Sequence, residues 1–286
     1  MFGSTKLGKL FGIDLYVHGT FWLLPLFILV TGIGDSAANV AFDVLFVFAV
    51  FACVALHEVG HALAAAMYGI RTRDITLYPV GGVAALEGMP EKPRQEIVVA
   101  LAGPAVNVVI ALGLFLGVFA GGLLMPWDAL DYTPDGFLAR LFAANVALCA
   151  FNLLPAFPMD GGRVLRALLA TQMTRLRATE VAVKVGTVMA VLFLVAGVWW
   201  QMFGLIAVAV VVWLLGQAEV ARMRVAAMHD ELERRARAYF EGPEAALPLD
   251  TASDLAARRF TGLAWDADRG VWVRWADGVP VGELPR

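Results

Sequence analysis

The stretch "LHEVGHALAAAMYG", residues 56–69, sets His57, Glu58 and His61 within five positions at the end of a long apolar run. Ionisable side chains are costly inside a membrane helix and generally mark function there. The first question is therefore whether this run lies in a membrane.

Composition answers it. The 286 residues are 60% hydrophobic and 16% charged, whereas soluble domains are nearer half apolar and a quarter charged. The excess is clustered: residues 97–124, 141–159 and 185–218 carry no Asp, Glu, Lys or Arg. A helix needs about 20 apolar residues to cross a bilayer's hydrocarbon core, so these runs predict a polytopic membrane protein. Six spans are expected, at 20–33, 41–66, 97–124, 137–154, 179–199 and 203–220. The run 185–218 must hold two helices, because one helix of that length would be about 51 Å long at 1.5 Å per residue. A tight join near 201–204 resolves this. The opening residues, "MFGSTKLGKLFGIDLYVHG", have no long apolar core before a small-residue cleavage site, so no cleavable signal peptide is expected.

Charge placement predicts orientation. Lys6 and Lys9; Arg71, Arg73, Lys92 and Arg94; Arg163, Arg166, Arg175 and Arg177; and the residues from Arg222 onward all fall on one side of a six-span chain, while connections 34–39 and 121–136 lack Lys and Arg. The positive-inside rule makes that side cytoplasmic, with both termini on it. Arg140 is the exception and is expected to snorkel from a helix end. A net charge of −3 carries no nucleic-acid signature. Cys53 and Cys149 lie in apolar runs and read as small hydrophobes. The fold class expected is all-α with six spans, a small β-hairpin near the site, and a short α+β tail. Residues 1–222 form the core. Residues 223–286 form the tail, a basic helix-prone piece followed by a three-stranded meander over 261–284.

His57 and His61 are four apart, so on a helix they share one face. That spacing lets two imidazoles grip one Zn2+ ion, with Glu58 beside it as general base. The bland reading is a chance match on a helix surface, but three ionisable groups in five positions of an apolar span are hard to explain as packing. A catalytic zinc takes three protein ligands and a water. His18 precedes the first span and His229 lies in the tail, which leaves a carboxylate. Asp160, in "NLLPAFPMDGGR" (residues 152–163), follows two helix-breaking prolines. Its bland reading is the N-cap of the next helix, a role that does not exclude metal binding. Glu87 and Glu96 compete for the role.

"HEVGH" in an early span, "GPAVN" (103–107) in the next and "NLLPAFPMDGG" in a later one together resemble the site-2 protease family of intramembrane zinc metalloproteases, in its compact bacterial and archaeal branch. The resemblance covers about 7–220. It implies one zinc per chain held by His57, His61 and Asp160, with Glu58 as catalytic base and Asn152 as a substrate-binding residue. It implies as partner a transmembrane protein substrate within the lipid bilayer, and it leaves open whether chains assemble as a homo-oligomer. Residues 221–286 are too few for the paired regulatory domains that this branch often carries.

A membrane-embedded protease must unwind its substrate, because a helix hides its peptide bonds in i to i−4 hydrogen bonds. The segment 74–88, "DITLYPVGGVAALEG", reads as two strands around residues 79–82. Their free edge offers backbone partners for an unwound segment, or the hairpin merely caps the site. Asn107 reads as an interhelical structural hydrogen bond, and Trp22, Trp127, Trp199 and Trp200 as interfacial anchors. Two rival classes remain. A metal transporter should show a relay of polar groups through the bilayer, and spans three, five and six are nearly free of them. A catalytically silent binding homologue has no use for Glu58.

Overall fold

The computed structural model describes residues 3–34, 36–88, 90, 92–120, 134–241, 259–266, 269 and 271–284. Two compact units emerge, Met1–Val225 and Ala226–Arg286.

The first unit opens with an antiparallel hairpin, β1 (Ser4–Leu10) and β2 (Ile13–His18). It turns at Phe11 and Gly12, whose φ of 51° and 84° lie in the left-handed region. A 3-10 turn, Gly19–Trp22, and a short helix α1, Leu23–Thr31, lead into α2, Ala37–Ala66. Ser36 caps α2 by accepting a hydrogen bond from the Asn39 N–H at 3.2 Å, which offsets one of the unpaired donors of its first turn. Next come β3 (Thr72–Tyr78) and β4 (Gly81–Leu86). β3 pairs parallel to β2, giving a four-stranded mixed sheet in the order β1-β2-β3-β4. The sheet is fastened to the middle of α2 by Val17, Phe21, Val54, Ala55 and Leu77, one buried cluster.

The helices α3 (Pro93–Ala120), α4 (Pro134–Asn152), α5 (Asp160–Leu169), α6 (Arg175–Trp199) and α7 (Phe203–Glu241) follow. The long apolar run does break where length required it: α6 ends at Trp199, Gln201 takes φ 56°, and α7 starts at Phe203. In the second unit, β5 (Gly262–Asp266), β6 (Val271–Ala276) and β7 (Val279–Leu284) form an antiparallel meander over Ala264, Val273 and Trp275.

One expectation needs correction. The chain is mostly helical but not all-α, because the expected hairpin is only half of a four-stranded sheet whose other half is the N-terminal segment. The period-2 signal of that segment is broken by a bulge between Lys6 and Gly8. Among the described residues four helices are long and apolar enough to cross a membrane, Ala37–Ala66, Pro93–Gly117, Arg175–Trp199 and Phe203–Arg235, while Gly19–Thr31 and Gly136–Asn152 are apolar but shorter. Trp127 and the connection 121–133 lie outside the described residues. Arg140 has a partner as well: its Nη2 meets Asp43 Oδ1 at 2.9 Å, and its guanidinium sits 4.5 Å from the centre of the Phe46 ring. A paired charge is cheaper in apolar surroundings than a lone one.

Small residues let the central helices approach. A Cβ on Gly60 would stand 2.8 Å from both the Ala102 carbonyl oxygen and Val106 Cγ2. The first of these is backbone and cannot swing away. Gly60→Ala is expected to push α2 from α3 and cost about 1–3 kcal/mol. A thermal melt in detergent reads this as a lowered Tm. Adding Val106→Ala relieves one of the two clashes and should recover part of the loss; an unchanged Tm in Gly60→Ala would show that the helices are not in contact there.

Candidate metal centre

The residues 56–66 lie in the last turns of α2, where His57 and His61 point the same way and are both buried. Asp160 arrives from another element. α4 ends at Asn152, and the chain passes through Pro155 and Pro158 before α5 begins at Asp160. Gly161 and Gly162 make this turn feasible, because a Cβ on either would overlap the backbone of residues 153–157. Asp160 is the first helical residue and Met159 is the N-cap, with no side-chain capping bond. The capping reading of Asp160 is therefore set aside: its carboxylate faces the histidines.

His57 Nε2 and His61 Nε2 lie 3.0 Å apart, and each is 3.2 Å from Asp160 Oδ2. The three ligand atoms lie within 4.8 Å of one another, and all three residues are buried. The outward nitrogens are committed elsewhere. His57 Nδ1 lies 2.5 Å from Asn107 Oδ1, and His61 Nδ1 lies 2.7 Å from the Val99 carbonyl oxygen. Both partners accept, so each Nδ1 carries the proton and each Nε2 presents a lone pair. Two imidazole lone pairs and a carboxylate thus converge on one point, an arrangement that calls for a cation. Gly103 keeps the point open, since a Cβ there would overlap both Nε2 atoms. A nitrogen, nitrogen, carboxylate set is one that zinc accepts in sites that keep a position free.

Glu58 is half-buried beside this cluster. Its side chain rests against β4, where a Cβ on Gly82 would stand 2.6 Å from Glu58 Cγ. Asn152, the last residue of α4, is half-buried and outside the three-residue cluster. His18 instead accepts from the Thr20 N–H and stacks on Tyr78, and His229 pairs with Glu233.

A family model described as peptidase family M50 matches residues 45–193, which is 149 of the 286 residues. The chain belongs to this family. Among its M50 relatives, a zinc metalloprotease of Methanocaldococcus jannaschii is 35% identical over 196 residues, covering 68% of this chain and 54% of the relative. A putative zinc metalloprotease of Synechocystis is 35% identical over 178 residues, covering 59% of this chain and 45% of the relative. The chain thus spans about half the length of the curated relatives it matches. The solved structure of the site-2 protease from Methanocaldococcus jannaschii matches with a TM-score of 0.57 at 32% identity, covering 76% of this chain and 95% of that one. The family expected from the three motifs is the family found.

Glu96, weighed above as a ligand, does other work, and Glu87 is outside the cluster too. Arg166, 1% exposed, donates from Nε to Glu96 Oε1 at 2.8 Å and from Nη1 to Glu219 Oε1 at 3.0 Å, with its guanidinium 5.1 Å from the centre of the Phe157 ring. Arg175 reaches the other oxygen of Glu96 at 3.3 Å. This network ties α5 to α3 and α7. In the sequence Arg166 reads only as one of the basic residues that set orientation, and its buried pairing with Glu96 across 70 residues has no local signal. Because Asp160 rides on α5, Arg166→Gln is expected to do two things. It should destabilise the fold by about 1.5–3 kcal/mol, since Glu96 and Glu219 lose charge-assisted hydrogen bonds while Arg175 still reaches Glu96. It should also lower zinc retention after dialysis. Unchanged Tm and unchanged zinc by metal analysis would show that α5 is placed without it.

Proposed function

We propose that this chain is an intramembrane zinc metalloprotease that hydrolyses a peptide bond within or near a transmembrane segment of a membrane-protein substrate. The observation that carries the reading is the convergence of His57, His61 and Asp160 with Glu58 alongside on the same helix. In this reading the three residues hold one zinc ion, and Glu58 is the general base. Bound zinc supplies Lewis acidity, which polarises a carbonyl and makes water a stronger nucleophile near neutral pH.

The chain's own groups do the rest. The Glu58 carboxylate takes a proton from the attacking water and delivers it to the leaving amine. Contact with Gly82 holds that carboxylate against β4, the end strand of its sheet. Here β4 serves as the surface on which an unwound substrate segment adds as a strand, through backbone hydrogen bonds. The Asn152 amide, at the end of α4, acts as a further substrate contact. The protease reading is preferred to a metal transporter because the curated relatives are named zinc metalloproteases.

In the same reading the chain crosses the cell membrane six times, the two shorter apolar helices included, and both termini and the active-site end face the cytoplasm. Residues 1–222 are the protease core and 223–286 a cytoplasmic tail. The basic clusters support this orientation.

Two experiments test these statements. Replacing Glu58 by Gln should lower cleavage about 10²–10⁴-fold while zinc stays near one per chain. Comparative membrane proteomics of cells carrying wild type or Glu58→Gln should show substrates stabilised in the variant, with termini near a transmembrane segment. Near-normal cleavage by Glu58→Gln would overturn the mechanism, and loss of zinc in that variant would make Glu58 a ligand instead. Reporter fusions after Leu124 and after Arg286 should report opposite sides of the membrane; same-side reports would reject the six-span topology.

A further inference from the structure

Two asparagines sit where an apolar bundle has least use for them. Asn107 on α3 and Asn145 on α4 are both 0% exposed, and neither is charged, catalytic or a metal ligand. They are joined. Asn145 Nδ2 donates to the Leu141 carbonyl at 2.9 Å and lies 3.4 Å from Cys53 Sγ. Asn107 Nδ2 donates to Asn145 Oδ1 at 2.9 Å. Asn107 Oδ1 in turn faces His57 Nδ1 at 2.5 Å.

The direction of this chain is fixed at its far end. A backbone carbonyl can only accept, so the Asn145 NH2 must point at Leu141 and its oxygen at Asn107. Asn107 must then donate to Asn145, which turns its own oxygen toward His57. His57 Nδ1 must therefore carry a proton, and His57 Nε2 is left with its lone pair aimed at the cluster. One constraint on α4 reaches a ligand on α2 through two amides. None of the four amide atoms is left without a partner, which matters because a half-satisfied polar network in a dry interior costs more than an apolar core. His61 is handled differently: its Nδ1 meets the Val99 backbone carbonyl, a partner that needs no side chain.

We propose that Asn107 and Asn145 are positioning residues for the metal site, a buried two-amide relay that fixes the ring orientation and the metal-ready tautomer of His57. The relay rests on the zinc reading given above and adds a reason for the two amides that simple helix association does not supply. For helix association any packed pair with matched hydrogen bonds suffices. For the relay, position 107 must present an acceptor to His57, and an amide there must be kept from turning by the acceptor of Asn145 behind it.

The test uses the full chain purified in detergent and reads zinc affinity by chelator competition, without substrate. Asn107→Leu keeps size and removes the acceptor, and should weaken zinc about 10–100-fold, as loss of a ligand's hydrogen-bond partner does elsewhere. Asn107→Asp keeps an acceptor toward His57 and loses only the donor toward Asn145, so it should retain affinity within a few-fold even where its Tm falls. Asn145→Ala, which leaves the contact to His57 but frees the Asn107 amide to turn, should fall between the two. Wild-type affinity in Asn107→Leu, or equal losses in Asn107→Leu and Asn107→Asp, would overturn the relay. If Asn107→Leu fails to fold, the ordering of Asn107→Asp above Asn145→Ala in affinity decides alone, and its reversal rejects the proposal. A wild-type chain that binds no zinc would instead remove the metal reading itself, an outcome distinct from all of these.

Discussion

Two imidazole nitrogens and one carboxylate oxygen meet in the interior of an apolar bundle, each bringing a lone pair. Lone pairs crowded together repel, and the bound cation proposed above would offset that repulsion. Much of the local sequence serves this convergence. Gly103 is small because any side chain would occupy the meeting point, and Gly60 because α2 and α3 must close until their backbones nearly touch. Gly161 and Gly162 are small because Asp160 has to come back underneath the loop that delivers it. Asn107 and the Val99 carbonyl stand behind the two histidines so that the nitrogens facing inward are the unprotonated ones.

How legible this was depends on the range of each contact in sequence. His57, Glu58 and His61 are local: the 3.6-residue period alone puts the two histidines on one face, and the apolar run before them says that the face is buried. Asp160 is 99 residues from His61. No spacing rule connects them, so the residues alone left three carboxylates in play, and resemblance to a known family decided where physics could not. The hairpin over 74–88 was visible from its turn residues. Its partner hairpin at the N-terminus was not, because the strands are short, interrupted by Gly8 and Gly12, and paired to β3 across the whole of α1 and α2. Asn145 was missed for a simpler reason. An uncharged polar residue in a 19-residue run without charges barely disturbs a hydropathy reading, yet in a membrane it must find a partner.

The position of Glu58 follows from the sheet rather than from the helix. On α2 the residue is turned from the histidine face by one position, which would leave it on a bare helix flank. The sheet fills that flank: its core cluster fastens to Val54 and Ala55, one turn earlier on α2, and brings Gly82 of β4 against the carboxylate. Only a residue without a side chain fits at that contact. An element that first looks like an appendage to a helical protein is therefore what places the proposed base beside an end strand.

Polar contacts also explain how an apolar bundle finds one register. Between helices in lipid the hydrophobic effect gives little preference, so small residues and buried polar pairs decide which helix sits where. Asp43 with Arg140 joins α2 to α4. His57 with Asn107 and Asn145 joins α2, α3 and α4. Glu96 with Arg166 and Glu219 joins α3, α5 and α7. Along α2, Asp43 and His57 are 14 residues apart, about 21 Å at 1.5 Å per residue, so the first two links clamp the same helices at well-separated heights. A slip of one turn in α4 would unpair Arg140 and Asn145 together. Such a slip breaks two hydrogen-bonded links as well as apolar contacts, so the depth of His57 and His61 relative to α4 rests on polar pairing as well as on packing.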